Sequence, residues 1–111
     1  RSYIVCELIR EKILLGCEKE IPHGVGIMLN KMDYDGARGI WDIDATVVVE
    51  KRSHKPIILG KGGQKIKEIG AHARQSIEKL MESRVFLTLW VKVKEDWRNS
   101  DFMLGEIGYK D

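Results

Sequence analysis

Three of the four residues in Gly60-Lys61-Gly62-Gly63 are glycine. Residues without a Cβ tolerate positive φ and let another backbone come close. Lys61 sits inside the run and Lys65 one turn beyond it. The segment therefore suits a phosphodiester: no side chain at Gly62, amide donors at the start of a following helix, and two cations beside them. Two other phosphate loops are excluded by spacing. The run lacks the lysine-serine/threonine ending of a triphosphate loop, and it follows a helical segment where a dinucleotide loop follows a strand. On their own, the four residues fit a plain glycine turn between packed helices at least as well.

The flanking residues shift that balance. Ile57 and Ile58 precede the run, and Val47 and Val49 lie on the strand before them. Together they would line an apolar trough on which bases rest. So narrow a trough suits unpaired nucleotides and not a duplex. From Lys51 to Arg74 there are seven Lys/Arg (Lys51, Arg52, Lys55, Lys61, Lys65, Lys67, Arg74) against one acid, Glu68. The other 87 residues hold twelve basic and sixteen acidic residues, so a net charge of only +2 conceals a basic centre that attracts phosphate. Lys51, Arg52 and Arg74 are candidates on electrostatic grounds alone.

The elements that position this segment follow from periodicity. Val5, Leu8, Ile9 and Ile13 predict a helix over Tyr3 to Leu15, stopped by Gly16. Val25 to Met32 alternates as a strand, Asp33 to Gly39 is turn chemistry, and Ile40 to Glu50 is a second strand, paired as an antiparallel hairpin. Its inward face is Trp41, Ile43, Ala45, Val47 and Val49; its outward face carries Asp42, Asp44, Thr46 and Val48. Pro56 opens a one-turn helix that the glycines end. Gln64 to Glu82 is a long helix with an apolar stripe of Ile66, Ile69, Ala73, Ile77 and Leu80. Val85 to Val93 is a third strand, and Phe102 to Ile107 a short last helix. The class is α+β: a three-stranded sheet with helices packed on one face.

At 111 residues the chain is one domain, with 43% hydrophobic and 32% charged residues in a soluble globular balance. No apolar run approaches the roughly 20 residues of a membrane span, and no secretory signal is visible. The chain opens on Arg1, not Met, which reads as a fragment or processed product. Cys6 and Cys17 make no disulfide framework, which suggests a reducing compartment. His23, His54 and His72 lack metal-ligand spacing, and no metal site is expected. His54 and His72 border the basic segment and read as solvated side chains. Asp42 and Asp44 have no nucleophile or base nearby and read as a solvated edge, which leaves a small hydrolase without its machinery. Trp41 reads as core, Trp97 as the anchor of the last helix, and Trp90 as packing or a partner contact.

The run Ile58-Leu59-Gly60-Lys61-Gly62-Gly63-Gln64-Lys65-Ile66-Lys67-Glu68-Ile69 resembles the signature of KH domains, and the helix-strand-strand order before it resembles the type II, bacterial, arrangement. Further blocks resemble the C-terminal domain of Era-family GTPases: Ile9-Arg10-Glu11-Lys12-Ile13, Glu20-Ile21-Pro22-His23, Ile69-Gly70-Ala71-His72-Ala73-Arg74, and Leu89-Trp90-Val91-Lys92-Val93-Lys94-Glu95-Asp96-Trp97-Arg98. They extend from residue 9 to residue 98, and the last is the most discriminating.

The resemblance implies a type II KH fold, order α-β-β-α-α-β plus a C-terminal helix, with the RNA-binding domain over residues 1–97 and a helix and tail over 98–111. It implies binding of the single-stranded 3′ end of small-subunit (16S) ribosomal RNA, in service of 30S subunit assembly. Gly60, Lys61, Gly62 and Gly63 match the clamping turn; Ile57, Ile58 and Lys65 match groove positions. The chain has no GTPase motif, so it is expected to be the non-catalytic half. It would hold no cofactor of its own, with GTP and Mg belonging to an N-terminal GTPase domain outside it. Further expectations are the small ribosomal subunit as partner, a monomer, a bacterial cytoplasmic location, and peripheral inner-membrane association of the parent protein. The alternative is a KH-shaped protein-interaction module that docks on a ribosome or assembly factor without reading RNA, through its acidic remainder and exposed aromatics.

Overall fold

The computed structural model describes residues 1–17, 21 and 25–95. The elements are α1 (Ser2–Cys17), β1 (Val25–Asp35), β2 (Ile40–Val49), α2 (His54–Leu59), a 3-10 turn (Lys61–Gly63), α3 (Gln64–Met81) and β3 (Arg84–Val93). This is the expected order as far as β3. The expected helix from Phe102 to Ile107, Trp97 and His23 lie outside the described residues.

The sheet has the order β1-β2-β3. β1 and β2 form the expected antiparallel hairpin, from Val25 opposite Val49 to Asp35 opposite Ile40. It is longer than the sequence suggested, because Asp33, Tyr34 and Asp35 are strand and not turn. The turn shrinks to residues 36–39, where the Asp35 carboxylate accepts from the Ala37 and Arg38 amides at 3.1 and 3.2 Å. The pairing shifts between Leu29 and Lys31, and the Asn30 amide side chain donates to Asp44 and to the Thr46 hydroxyl.

β2 and β3 are parallel, Ile40 opposite Arg84 and Val49 opposite Val93. A parallel partner requires the chain to travel back along the sheet before re-entering it. α3 makes that return, spanning ~27 Å at 1.5 Å per residue. Its start, and with it the glycine run, is thereby carried to the end of the sheet where β3 finishes.

One core lies between the sheet and the helices. Val5, Ile9, Ile13 and Cys17 of α1 meet Ile27, Ile43, Ala45, Val47 and Val49 of the sheet and Ile69, Ala73 and Ile77 of α3. Three local expectations need correction. Gly16 does not stop α1, which continues to Cys17, and it faces Ile69 of α3. Met81, not Leu80, completes the buried stripe of α3, and Leu80 is exposed. Pro56 is the third residue of α2 and not the first; the first-turn amides lack an internal acceptor, so its missing N–H costs no hydrogen bond.

The outer face of the sheet is tied together and not merely solvated. Asp44 accepts from Asn30 and from the Trp90 indole, each at 2.9 Å, and Lys31 meets Asp42 at 2.9 Å. Thr46 and Val48 are buried there. Trp41 packs on the core, its ring 5.4 Å from that of Tyr34. Among the described residues no helix is long and apolar enough to cross a membrane.

Candidate nucleic-acid interface

The run Gly60–Gly63 is a bend built on left-handed backbone. Gly60, Gly62 and Gly63 have φ of 72°, 62° and 77°. Only Gly60 faces inward: a Cβ on it would stand 2.5 Å from the Cβ of Lys65 and 2.9 Å from its amide nitrogen. Around Gly62 and Gly63 a Cβ would meet nothing within 4 Å among the described residues. The bend is open on its outer side, with room for another backbone. Its own hydrogen bonds take the amides of Gly63, which donates to the Gly60 carbonyl at 3.1 Å, and Gln64, which donates to the Lys61 carbonyl. Fewer free amide donors are therefore left at the bend than the sequence suggested.

Beside the bend a groove of about 420 Å³ separates α3 from β3. Its α3 wall is Ile66, Gly70 and Ala71; its strand wall is Leu87, Thr88 and Leu89. Gly70 faces Leu89 across it; a Cβ there would stand 3.7 Å from the Leu89 side chain, in ordinary contact. Lys67 and Arg74 supply cations along the helical side. β3 is an edge strand among the described residues. Its outward N–H and C=O groups are unpaired by the sheet. The groove thus combines an apolar floor with cations on one side and a peptide edge on the other.

The structure sorts the expected residues. Gly60, Lys61, Gly62 and Gly63 form the bend, with Lys61 exposed. Arg74 reaches the groove but is held by Glu78 at 3.0 Å, and Glu78 also accepts from the Val85 amide at 2.9 Å, fixing the start of β3. Val47, Val49 and Ile58 do not line any trough: all three are fully buried in the core. The inward face of β2 is covered by the helices, so the central strand has no apolar surface left for bases. Ile57 packs against that core while remaining partly exposed. Lys65 lies on the other flank of α3, facing α1. Lys51 and Arg52 sit in the β2–α2 turn and line a separate depression with Glu50 and Glu95. His54 is half-buried, its Nδ1 without a hydrogen-bond partner among the described residues, and not the solvated side chain expected; His72 is exposed.

The groove residues that sequence reasoning missed are Ile66, Lys67, Gly70, Leu87 and Leu89. Periodicity puts Ile66 on the apolar stripe of its helix and Leu87 and Leu89 on the apolar face of their strand, and Lys67 counts only as part of the basic segment. The available signal was the long return helix: it forces a parallel third strand, whose apolar face must flank that helix at the sheet edge.

The KH domain family model matches residues 20–98. The chain belongs to the KH domain family. This KH domain is 58% identical to GTPase Era of Alkaliphilus oremlandii over 106 residues, covering 96% of the chain and 36% of that relative. It is 50% identical to GTPase Era of Clostridium novyi over 109 residues, 98% of the chain and 37% of the relative. Among solved structures it is similar to Era in complex with MgGDPNP and nucleotides 1506–1542 of 16S ribosomal RNA, with a TM-score of 0.89 and 35% identity over 97% of the chain. It is similar also to an Aquifex aeolicus Era variant bound to GDP and AlF4, with a TM-score of 0.88 and 35% identity over 97% of the chain. The chain spans 36% of the length of each solved chain, and little more than a third of the relatives it matches.

Proposed function

We propose that this KH domain binds single-stranded RNA, with the 3′-terminal region of 16S ribosomal RNA as its ligand, as the RNA-binding part of an Era-like GTPase that assists 30S subunit assembly. One observation carries the reading: the bend is open at Gly62 and Gly63, and α3, which starts directly after it, walls an apolar groove edged by β3. The similarity to Era solved with nucleotides 1506–1542 of 16S ribosomal RNA supports the choice of ligand. Lys61 and Lys67 hold phosphates, Ile66, Gly70, Leu87 and Leu89 support base faces, and the outer backbone of β3 reads base edges. GTP and Mg²⁺ chemistry belongs to the portion of the relatives that this chain does not span.

The test is the affinity of an unpaired oligonucleotide from that segment for the wild-type chain and for Lys61→Asp/Gly62→Asp. The double variant should lose about tenfold or more while its circular dichroism is kept. Unchanged affinity would remove the bend from the interface. Protein docking without RNA is a second reading, favoured by Phe86 and Trp90, 58% and 57% exposed on the outer sheet face. It expects no RNA affinity at moderate salt and loss of partner binding in Trp90→Ala.

A further inference from the structure

The N-terminal half of α3 has two lined flanks. One forms the groove with β3; the other faces α1 across a cleft of about 370 Å³. Resting on the RNA-binding reading above, we propose that this second cleft is a further nucleotide subsite, taking an unpaired nucleotide that flanks those held in the groove.

The cleft has the parts such a ligand needs. Its apolar surface is Leu15, Gly16 and Ile69. Leu15 is 67% exposed at its edge, a large apolar side chain left in water that the face of a base would cover. Lys12 and Lys65 bring two cations to the same cleft, with His72 at its rim. Among the described residues Lys12 pairs with the neighbouring Glu11, at 3.3 Å on the surface, a pairing weak enough for a phosphate to displace. Glu68 is an acceptor among these donors. A carboxylate in that place suits the exocyclic amino group of cytosine or adenine.

Lys65 joins the cleft to the bend. Its Cβ lies directly beneath Gly60, while its side chain lines the cleft. Lys65 thus belongs both to the support of the bend and to the cleft. The KH fold clamps about four nucleotides, and this subsite extends the bound length past that number.

The test uses the whole 111-residue chain. The probes are a single-stranded tetranucleotide and a longer oligonucleotide extending it at both ends, cut from nucleotides 1506–1542 of 16S ribosomal RNA. Lys12→Gln/Leu15→Gln/His72→Gln changes surface side chains of the cleft and nothing in the bend or groove. The expected result is a loss of about tenfold or more for the longer RNA and less than twofold for the tetranucleotide. In the wild-type chain, the backbone amide resonances of Leu15 and Gly16 should move with the longer RNA and not with the tetranucleotide. If they stay still while those of Gly70 and Leu89 move, or if the triple variant binds both RNAs as the wild type does, the groove stands and the second subsite is wrong. A protein occupant of the cleft would give that same overturning result. If the wild type binds neither RNA, both readings fall.

Discussion

A Cβ on Gly60 would lie 2.5 Å from the Cβ of Lys65, whereas one on Gly62, two residues further, would touch nothing among the described residues. The two glycines share left-handed φ and differ in what surrounds them. Gly60 holds the bend against the first turn of α3, and Gly62 keeps its outer side clear.

The first prediction separates these roles. Gly60→Ala combines backbone strain with a clash against backbone and Cβ, and should cost about 3 kcal/mol or more of stability. Gly62→Ala adds only the left-handed penalty of ~1–2 kcal/mol. Thermal melts of both variants check this. Equal losses would show that the bend is not divided into an inner and an outer side.

Charge reversal tests the groove against the broader basic segment. Lys67→Glu should weaken binding of the RNA oligonucleotide about tenfold and lower the salt dependence by roughly the ~0.7 expected for one phosphate on a single strand. Lys51→Gln/Arg52→Gln should change affinity by less than about threefold, because these residues share a depression with Glu50 and Glu95 away from the groove. Affinity measured over a salt series decides. A larger effect at Lys51 and Arg52 would move the RNA path to the β2–α2 turn.

Truncating the core should leave binding alone. Ile58 and Val47 are fully buried. Ile58→Ala should cost ~2–5 kcal/mol through lost burial and the cavity left behind, and Val47→Ala somewhat less. At a temperature where each variant is folded, RNA affinity should equal that of the wild type. Denaturant melts paired with binding curves check it; a loss of affinity in folded Val47→Ala would restore the trough reading.

One titration reports on the outer sheet face. The Asp42 carboxylate, hydrogen-bonded to Lys31, holds that ammonium above the ordinary lysine value of 10.5. A raised folded-state pKa means that the contribution is fully present below the ordinary lysine value. It is lost only as pH climbs through the higher folded value. NMR titration should find Lys31 deprotonating above 10.5, and Asp42→Asn should bring it back toward that value. An unshifted Lys31 would mean that the pairing does not persist in solution.

The elements and the bend were legible because local rules write them. Val5, Ile9 and Ile13 mark a helix, Val85 to Val93 alternates as a strand, and a run of three glycines among four residues has few uses outside a bend. The strand boundary at Asp33–Asp35 was misread because turn-forming residues extend a strand when their partners, Ile40 to Asp42, are already in register. Asp44 looked like a solvated carboxylate because its partners, Asn30 and Trp90, stand on the two strands either side of it.

By itself, the sequence determined the α+β class, the order of the elements, the basic centre and the glycine bend, all consequences of residue type and short-range spacing. Only the tertiary structure decided which apolar residues are available to a ligand. Periodicity shows that a side chain is apolar and which side of its element it is on. It does not show whether another element covers that side. The helices close over Val47, Val49 and Ile58, while at the sheet edge the space between α3 and β3 stays open beside Leu87 and Leu89.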